Sequence, residues 1–165
     1  QVKKYRLTEE TTKVGNRPLY RIQALRDFGN VKEGDIGGYI ESEKNLSQDG
    51  DAWVSGDAWV SGDACVYGDA CVYGDAWVSD NARVYGDADI KTTGDICSMS
   101  GFGSEYRTTT AFRTKNGDVH VSCGCFQGNL EAFCQRVEST YGNNLYGREY
   151  KKMIEMLKIH FEVEP

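Results

Sequence analysis

Apolar β-branched residues recur at every sixth position: Val54, Val60, Val66, Val72, Val78, Val84 and Ile90, with Ile96 as a further candidate. Each is flanked by variable residues, so strand alternation points the Val inward and its neighbours outward. An Ala sits two residues before each Val and forms a second inward position that admits only a small side chain. Gly-Asp separates the copies. Gly reaches backbone conformations that other residues avoid, and Asp can bond its own backbone in a turn. The pattern therefore predicts short strands joined by tight bends. A helix is excluded, because Gly at every sixth position would cost ~1 kcal/mol each.

The flanks read differently. Tyr20–Leu25 alternates as a strand, and Val31–Ile40 reads as strand, turn, strand. Thr110–Thr114 and Asp118–Cys123 form a hairpin pattern with Asn116-Gly117 at the turn. Two amphipathic helices follow. One carries Leu130, Phe133, Cys134 and Val137, and the other carries Tyr150, Met153, Ile154, Leu157 and Phe161. Gly142-Asn143-Asn144 separates them.

The phrase Gly-Asp-Ala-x-Val-x starts at Gly50, Gly56, Gly62, Gly68 and Gly74, lapses at Asp80-Asn81 and resumes at Gly86. It resembles the hexapeptide repeat of left-handed parallel β-helices. That resemblance implies a mainly β fold in which three copies make one coil and residues 18 apart lie above one another. Trp59 is then expected over Trp77, Tyr67 over Tyr85, and Trp53 over Cys71 over Asp89. Cys65 and Cys71 would lie on different faces and form no disulfide with each other. The expected organisation is an N-terminal β cap (1–49), a short left-handed β-helix (50–96) and a small C-terminal ββαα module (97–165).

Asp27–Ile40 followed by Asn45–Asp51 is similar to the lead-in of uncharacterised bacterial and phage hexapeptide-repeat proteins, which implies a capping role. Arg107–Gly117, Cys123–Gly128 and the helical pair from Glu131 to Phe161 resemble a module found in phage and prophage genes.

Charge separates the repeat from its flanks. Residues 50–91 hold two basic and eight acidic groups, against nine and eight in 1–49 and eight and nine in 92–165. The net charge of −6 thus resides in the repeat. Acidic corners repel a nucleic-acid backbone, so broad DNA or RNA binding is not expected. Stacked Asp51, Asp69 and Asp87 read first as turn residues, with cation binding as the alternative. No stretch approaches the ~20 apolar residues that span a membrane. The six cysteines make no recognisable metal or disulfide framework, so a reducing cytoplasm is the expected home.

Many hexapeptide β-helix proteins are acyltransferases, and the resemblance raises that activity. Such enzymes use a His beside a coil as general base. Here both His lie outside the repeat, so the motif transfers to no residue, although His120 could approach the repeat from the hairpin. His120, Cys123, Cys125 and Cys134 are a metal candidate, but alternation puts His120 on the face opposite Cys123 and Cys125. No catalytic residue, metal site or cofactor is assigned.

Two candidates remain. The polar, Gly-rich segment from Gly101 to Thr110 suits an anion: Gly allows close backbone approach, hydroxyls donate, and Arg supplies a forked charge. Its candidate ligand-binding residues are Gly103, Ser104, Arg107, Thr108, Thr109, Thr110 and Arg113; the competing reading is a plain connector and strand. Outward Trp53, Trp59, Trp77, Tyr67, Tyr73 and Tyr85 form a candidate contact surface, partly covered by the C-terminal helices. The expected protein is a non-catalytic, phage- or prophage-encoded oligomer, a trimer first. It would bind a small anionic or nucleotide ligand, or a host protein, as in counter-defence. An acyltransferase and a filament-forming or virion-associated protein are the alternatives.

Overall fold

The structure is a computed structural model that describes residues 2–163. The chain begins with an antiparallel pair, β1 (Tyr5–Val14) and β2 (Arg17–Ala24), followed by β3 (Ile36–Ile40). Seven two-residue strands then occupy the repeat: β4 (Trp53–Val54), β5 (Trp59–Val60), β6 (Cys65–Val66), β7 (Cys71–Val72), β8 (Trp77–Val78), β9 (Arg83–Val84) and β10 (Asp89–Ile90). The C-terminal part holds β11 (Ile96–Phe102), β12 (Arg107–Arg113), β13 (Val119–Cys123) and β14 (Phe126–Asn129). Two helices complete it, α1 (Leu130–Tyr141) and α2 (Leu145–His160).

These strands assemble into several small separate sheets. One has five strands in the order β1-β2-β3-β5-β8, and one is a four-stranded antiparallel sheet, β11-β12-β13-β14. The others are β10-β7-β4 and β6-β9, both parallel. The expected fold class, a short left-handed parallel β-helix, is corrected by this arrangement: the structure is mainly β with separate small sheets and two C-terminal helices, and shows no parallel β-helix solenoid. The physical reason lies in strand length. The hexapeptide phrase leaves two residues in strand conformation between bends, so each repeat ladder is two residues wide. The larger sheets are built by the flanks. β1 and β2 enlarge one ladder into a mixed sheet, and β11 to β14 form their own.

The 18-residue register within the repeat does hold. Trp53 pairs with Cys71 and Cys71 with Asp89; Trp59 pairs with Trp77; Cys65 pairs with Arg83. Cys65 and Cys71 therefore belong to different sheets. The Trp59 and Trp77 rings stack at 5.2 Å, and the Tyr67 and Tyr85 rings at 5.9 Å. Ala52 to Ala88 and Val54 to Ile90 line one continuous apolar core with Tyr5, Ile22, Phe28, Ile40, Leu46 and Phe112.

The bends explain the glycines. Gly68 has φ +70°, and a Cβ there would lie 2.9 Å from the Gly86 nitrogen in the next stacked bend. The lapsed copy puts Asp80 in the same left-handed conformation, at φ +60°, which Asp tolerates better than most residues.

Both ends of the repeat are covered by hydrogen-bonded chain. At the first end, Lys4 Nζ donates to the Ala52 carbonyl at 2.8 Å, the Tyr5 hydroxyl donates to the Leu46 carbonyl at 2.6 Å, and Asn45 Nδ2 donates to the Ala64 carbonyl at 2.9 Å. At the other end, the Arg83 amide donates to Thr110 Oγ1 at 3.1 Å and the Lys115 amide to the Asp87 carbonyl at 3.0 Å.

The C-terminal part is larger than a ββαα module, because β11 and β14 flank the expected hairpin. The boundary drawn at 96/97 falls inside β11, and the five-stranded sheet runs across the boundary at 49/50. In the N-terminal part β1 was not anticipated, and Val31 makes only an isolated bridge to Phe28. A second apolar core, with Val121, Leu130, Phe133, Val137, Tyr150, Ile154, Leu157 and Phe161, lies between the four-stranded sheet and the helices.

Candidate functional site

Strand alternation splits the Gly-Ser-Thr-Arg candidate set in two. On β12, Thr110 and Phe112 face the repeat: Thr110 accepts from the Arg83 amide, and Phe112 sits in the repeat core. Thr108 Oγ1 shares a 2.7 Å hydrogen bond with Ser100 Oγ across the β11–β12 ladder. Arg107, Thr109 and Arg113 project toward the helices. Thr109 donates to Cys123 Sγ at 3.2 Å. Arg113 is already engaged: it donates to the Phe161 carbonyl at 2.9 Å and pairs with Asp95 at 3.6 Å. Gly103 is buried at φ +81°, where its amide donates to Glu149 Oε2 at 3.1 Å and any Cβ would collide with the Tyr150 phenol. Ser104 Oγ meets the Tyr141 hydroxyl at 3.2 Å. The segment is thus mainly a structural turn and strand: Arg113 borders a separate cleft beside Phe161 with its guanidinium already engaged, whereas Arg107 opens onto a cleft without an ion-pair partner among the described residues.

The Arg107 cleft, of about 170 Å³, lies where the end of the four-stranded sheet meets the two helices. Arg107 comes from the start of β12, Cys123 ends β13, Cys125 lies in the β13–β14 turn, and Arg136, Thr140 and Tyr141 come from the last turns of α1. Aromatic rings form its walls. Tyr141 stacks on Tyr150 at 5.7 Å, Phe133 meets Tyr150 edge-on at 5.7 Å, and Phe126 packs on Phe133 at 5.2 Å. The Arg136 guanidinium rests over the Phe126 ring at 5.5 Å. The Arg107 side chain lies against Gly124, the residue whose missing Cβ leaves room for it.

Neither Arg107 nor Arg136 forms an ion pair with a described carboxylate, although Glu105 also lines the cleft. Burial pushes the Tyr150 phenol well above the usual tyrosine range, and its 3.6 Å hydrogen bond with Cys123 adds to the effect. Tyr150 is therefore neutral at physiological pH. The cleft presents two forked cations, neutral hydroxyls and aromatic faces, a combination suited to a small planar anion.

The remaining sequence candidates fall elsewhere. Trp53 is buried beneath Tyr5 and Phe28 of the N-terminal cap, with the Phe28 ring at 5.2 Å. The C-terminal sheet, not the helices, covers Tyr67 and Tyr85. Gln127 donates to the Tyr67 hydroxyl at 2.7 Å, and the Tyr85 hydroxyl donates to the Val121 carbonyl at 3.0 Å. Tyr73 is half-buried, and its phenol is raised by burial and by Asp89. Trp59 and Trp77 remain on an open face, Trp77 with 53% exposure. His120 sits beside Phe112 on the face of β13 opposite Val119 and Val121. Cys134 packs in the second core, where burial raises its thiol pKa. The described residues contain no group of three His, Cys, Asp or Glu side chains placed to share a metal ion. No helix among them is long and apolar enough to cross a membrane.

Arg136, Tyr141 and Tyr150 were not among the sequence candidates for binding. A signal existed: Arg136 borders the apolar stripe of α1 next to Val137, and Tyr141 continues that stripe one turn on. No family model matches the chain, and no curated protein matches it.

Proposed function

We propose that the protein is a non-catalytic binding protein for a small anion carrying a flat ring, a ligand of the nucleotide class, held at the cleft between Arg107 and Arg136. The observation that supports this reading is a pair of guanidinium groups, Arg107 and Arg136, that form no ion pair with a described carboxylate and share a cleft with aromatic side chains, Arg136 lying over the Phe126 ring. Arginines placed this way match a phosphate or carboxylate bidentately, and rings beside them accept a base face. At about 170 Å³ the cleft is smaller than the ~300–1,000 Å³ of pockets that enclose a whole drug-sized ligand. It therefore holds one end of the ligand, with the remainder on the open rim.

Holding a signal needs affinity and no turnover. This suits the counter-defence role that the phage resemblance implies, in a reducing host cytoplasm compatible with six free thiols. Native mass spectrometry of freshly purified protein tests the reading. The expected result is a retained anion of nucleotide type, lost from an Arg107→Gln, Arg136→Gln variant that keeps the wild-type melting temperature. No retained anion, together with no change in melting on adding mononucleotides, would overturn it.

A further inference from the structure

α2 carries two apolar faces, and the fold uses one. Tyr150, Met153, Ile154 and Leu157 are buried in the second core. On the outer side, Leu145 is 57%, Met156 56% and Ile159 79% exposed. With Met99 and the exposed Phe102 of β11 they line a groove of about 610 Å³ that also presents Arg148, Glu149 and Lys152.

The outer residues Leu145, Glu149, Lys152, Met156 and Ile159 are separated by alternating steps of four and three, the spacing of a helix–helix seam. The first four members also read as a palindrome of chemical type. Leu145 and Met156, and likewise Glu149 and Lys152, are symmetric about a point between Tyr150 and Lys151. Two copies of the helix laid antiparallel across a two-fold axis at that point would set Leu145 against Met156 of the second copy, and Glu149 against Lys152, each contact occurring twice. An isologous interface requires this self-complementarity. The charges are available: Glu149 forms no ion pair with a described cation, and Lys152 makes only an exposed pair with Glu155 at 3.1 Å. Glu149 accepts from the Gly103 amide with one oxygen, Oε2, and lines the groove; no hydrogen bond among the described residues engages its other oxygen.

We infer that the outer face of α2 is a two-fold docking surface for a second copy of this chain, which makes the protein a dimer through antiparallel α2 helices. The surface is separate from the cleft and stands whether or not the cleft takes a nucleotide.

Sedimentation equilibrium of the full chain tests the inference through a charge-swap pair. Wild type should sediment with twice the chain mass. Lys152→Glu alone, and Glu149→Lys alone, place like charges opposite one another and should each weaken the dimer at least ~10-fold. Mixing the two variants makes both contacts complementary and should restore dimer mass as a heterodimer. That rescue also shows that both variants are folded. A wild-type monomer at all concentrations, a trimer or larger species indifferent to Lys152→Glu, or a mixture that stays monomeric would overturn the inference.

Discussion

Lys4 is fully buried at the covered first end of the repeat, its Nζ donating to the Ala52 carbonyl at 2.8 Å and lying 5.1 Å from the Phe28 ring centre. Burial, and secondarily Arg26, lowers its pKa from 10.5 to about 8, against the opposing pull of Asp51 and Asp49. Linkage fixes the sign of the consequence. Below pH 8 the ammonium is charged in both folded and unfolded chains. Between pH 8 and 10.5 the unfolded chain holds a proton that the folded chain has released, so stability rises with pH. At ~1.4 kcal/mol per unit, the gain between pH 7 and 10 is about 2–3 kcal/mol. Lys4→Met keeps most of the apolar stem and removes the titration. The assay is urea unfolding of both proteins from pH 7 to 10. The buried Tyr5 phenol, itself raised by burial, is present in both, so the difference isolates Lys4. Wild type should gain on Lys4→Met by that amount as pH rises. Parallel profiles would refute the reasoning, whatever the offset between the proteins at pH 7.

Other consequences are independent of this one. Asp80→Gly restores the glycine of the repeat phrase at a left-handed position (φ +60°) and should stabilise the fold by ~0.5–1 kcal/mol; a lower melting temperature would contradict the account of the bends. The stacked Trp59–Trp77 pair should show a coupling of ~0.5–1.5 kcal/mol in a double-mutant cycle to Ala by chemical denaturation, whereas strict additivity would mean that the stack contributes nothing. Thr110→Val removes the acceptor of the part-buried Arg83 amide and should cost ~1 kcal/mol; a urea midpoint equal to that of wild type would show that the contact does not hold the sheet to the repeat. Cys125 is the one exposed thiol of six, while burial raises Cys71, Cys97 and Cys134. The fast phase of thiol labelling at pH 8 should therefore vanish in Cys125→Ser, and a fast phase that persists would contradict the protection that partial burial gives the others.

What could be read from the chain depended on whether a signal was local and repeated. The spacing of Val54 to Ile90 fixed which residues point inward and which stand 18 apart, and the Trp59–Trp77 and Tyr67–Tyr85 stacks followed from it. It did not determine how the strands would be divided among sheets, because that depends on the flanks. β1 is mostly exposed and polar, so its alternation carries little apolar signal, and β14 is a four-residue strand containing a Gly. The cleft was legible only through Arg107. Apart from Glu105, its other walls come from residues 16 to 43 positions further along, and only packing of the helices on the sheet brings them together. The hydroxyls grouped with Arg107 by sequence were separated by strand alternation, which sent Thr110 to the repeat and Thr109 to the helix side. The outer seam of α2 was legible, but the buried stripe on the same helix has the stronger apolar pattern and drew the reading first.

The central claim is that Arg107 and Arg136 form an anion site on an aromatic wall. Calorimetric titration of the full chain with a 5′-mononucleotide, with inorganic phosphate as the second titrant, tests it most directly. The account predicts saturable binding of the nucleotide, tighter than that of phosphate because the ring adds to the contact, and a loss of ~10-fold or more in Arg107→Ala and in Arg136→Ala. Nucleotide binding that survives both substitutions unchanged, or no heat from either titrant at millimolar concentration, would contradict it.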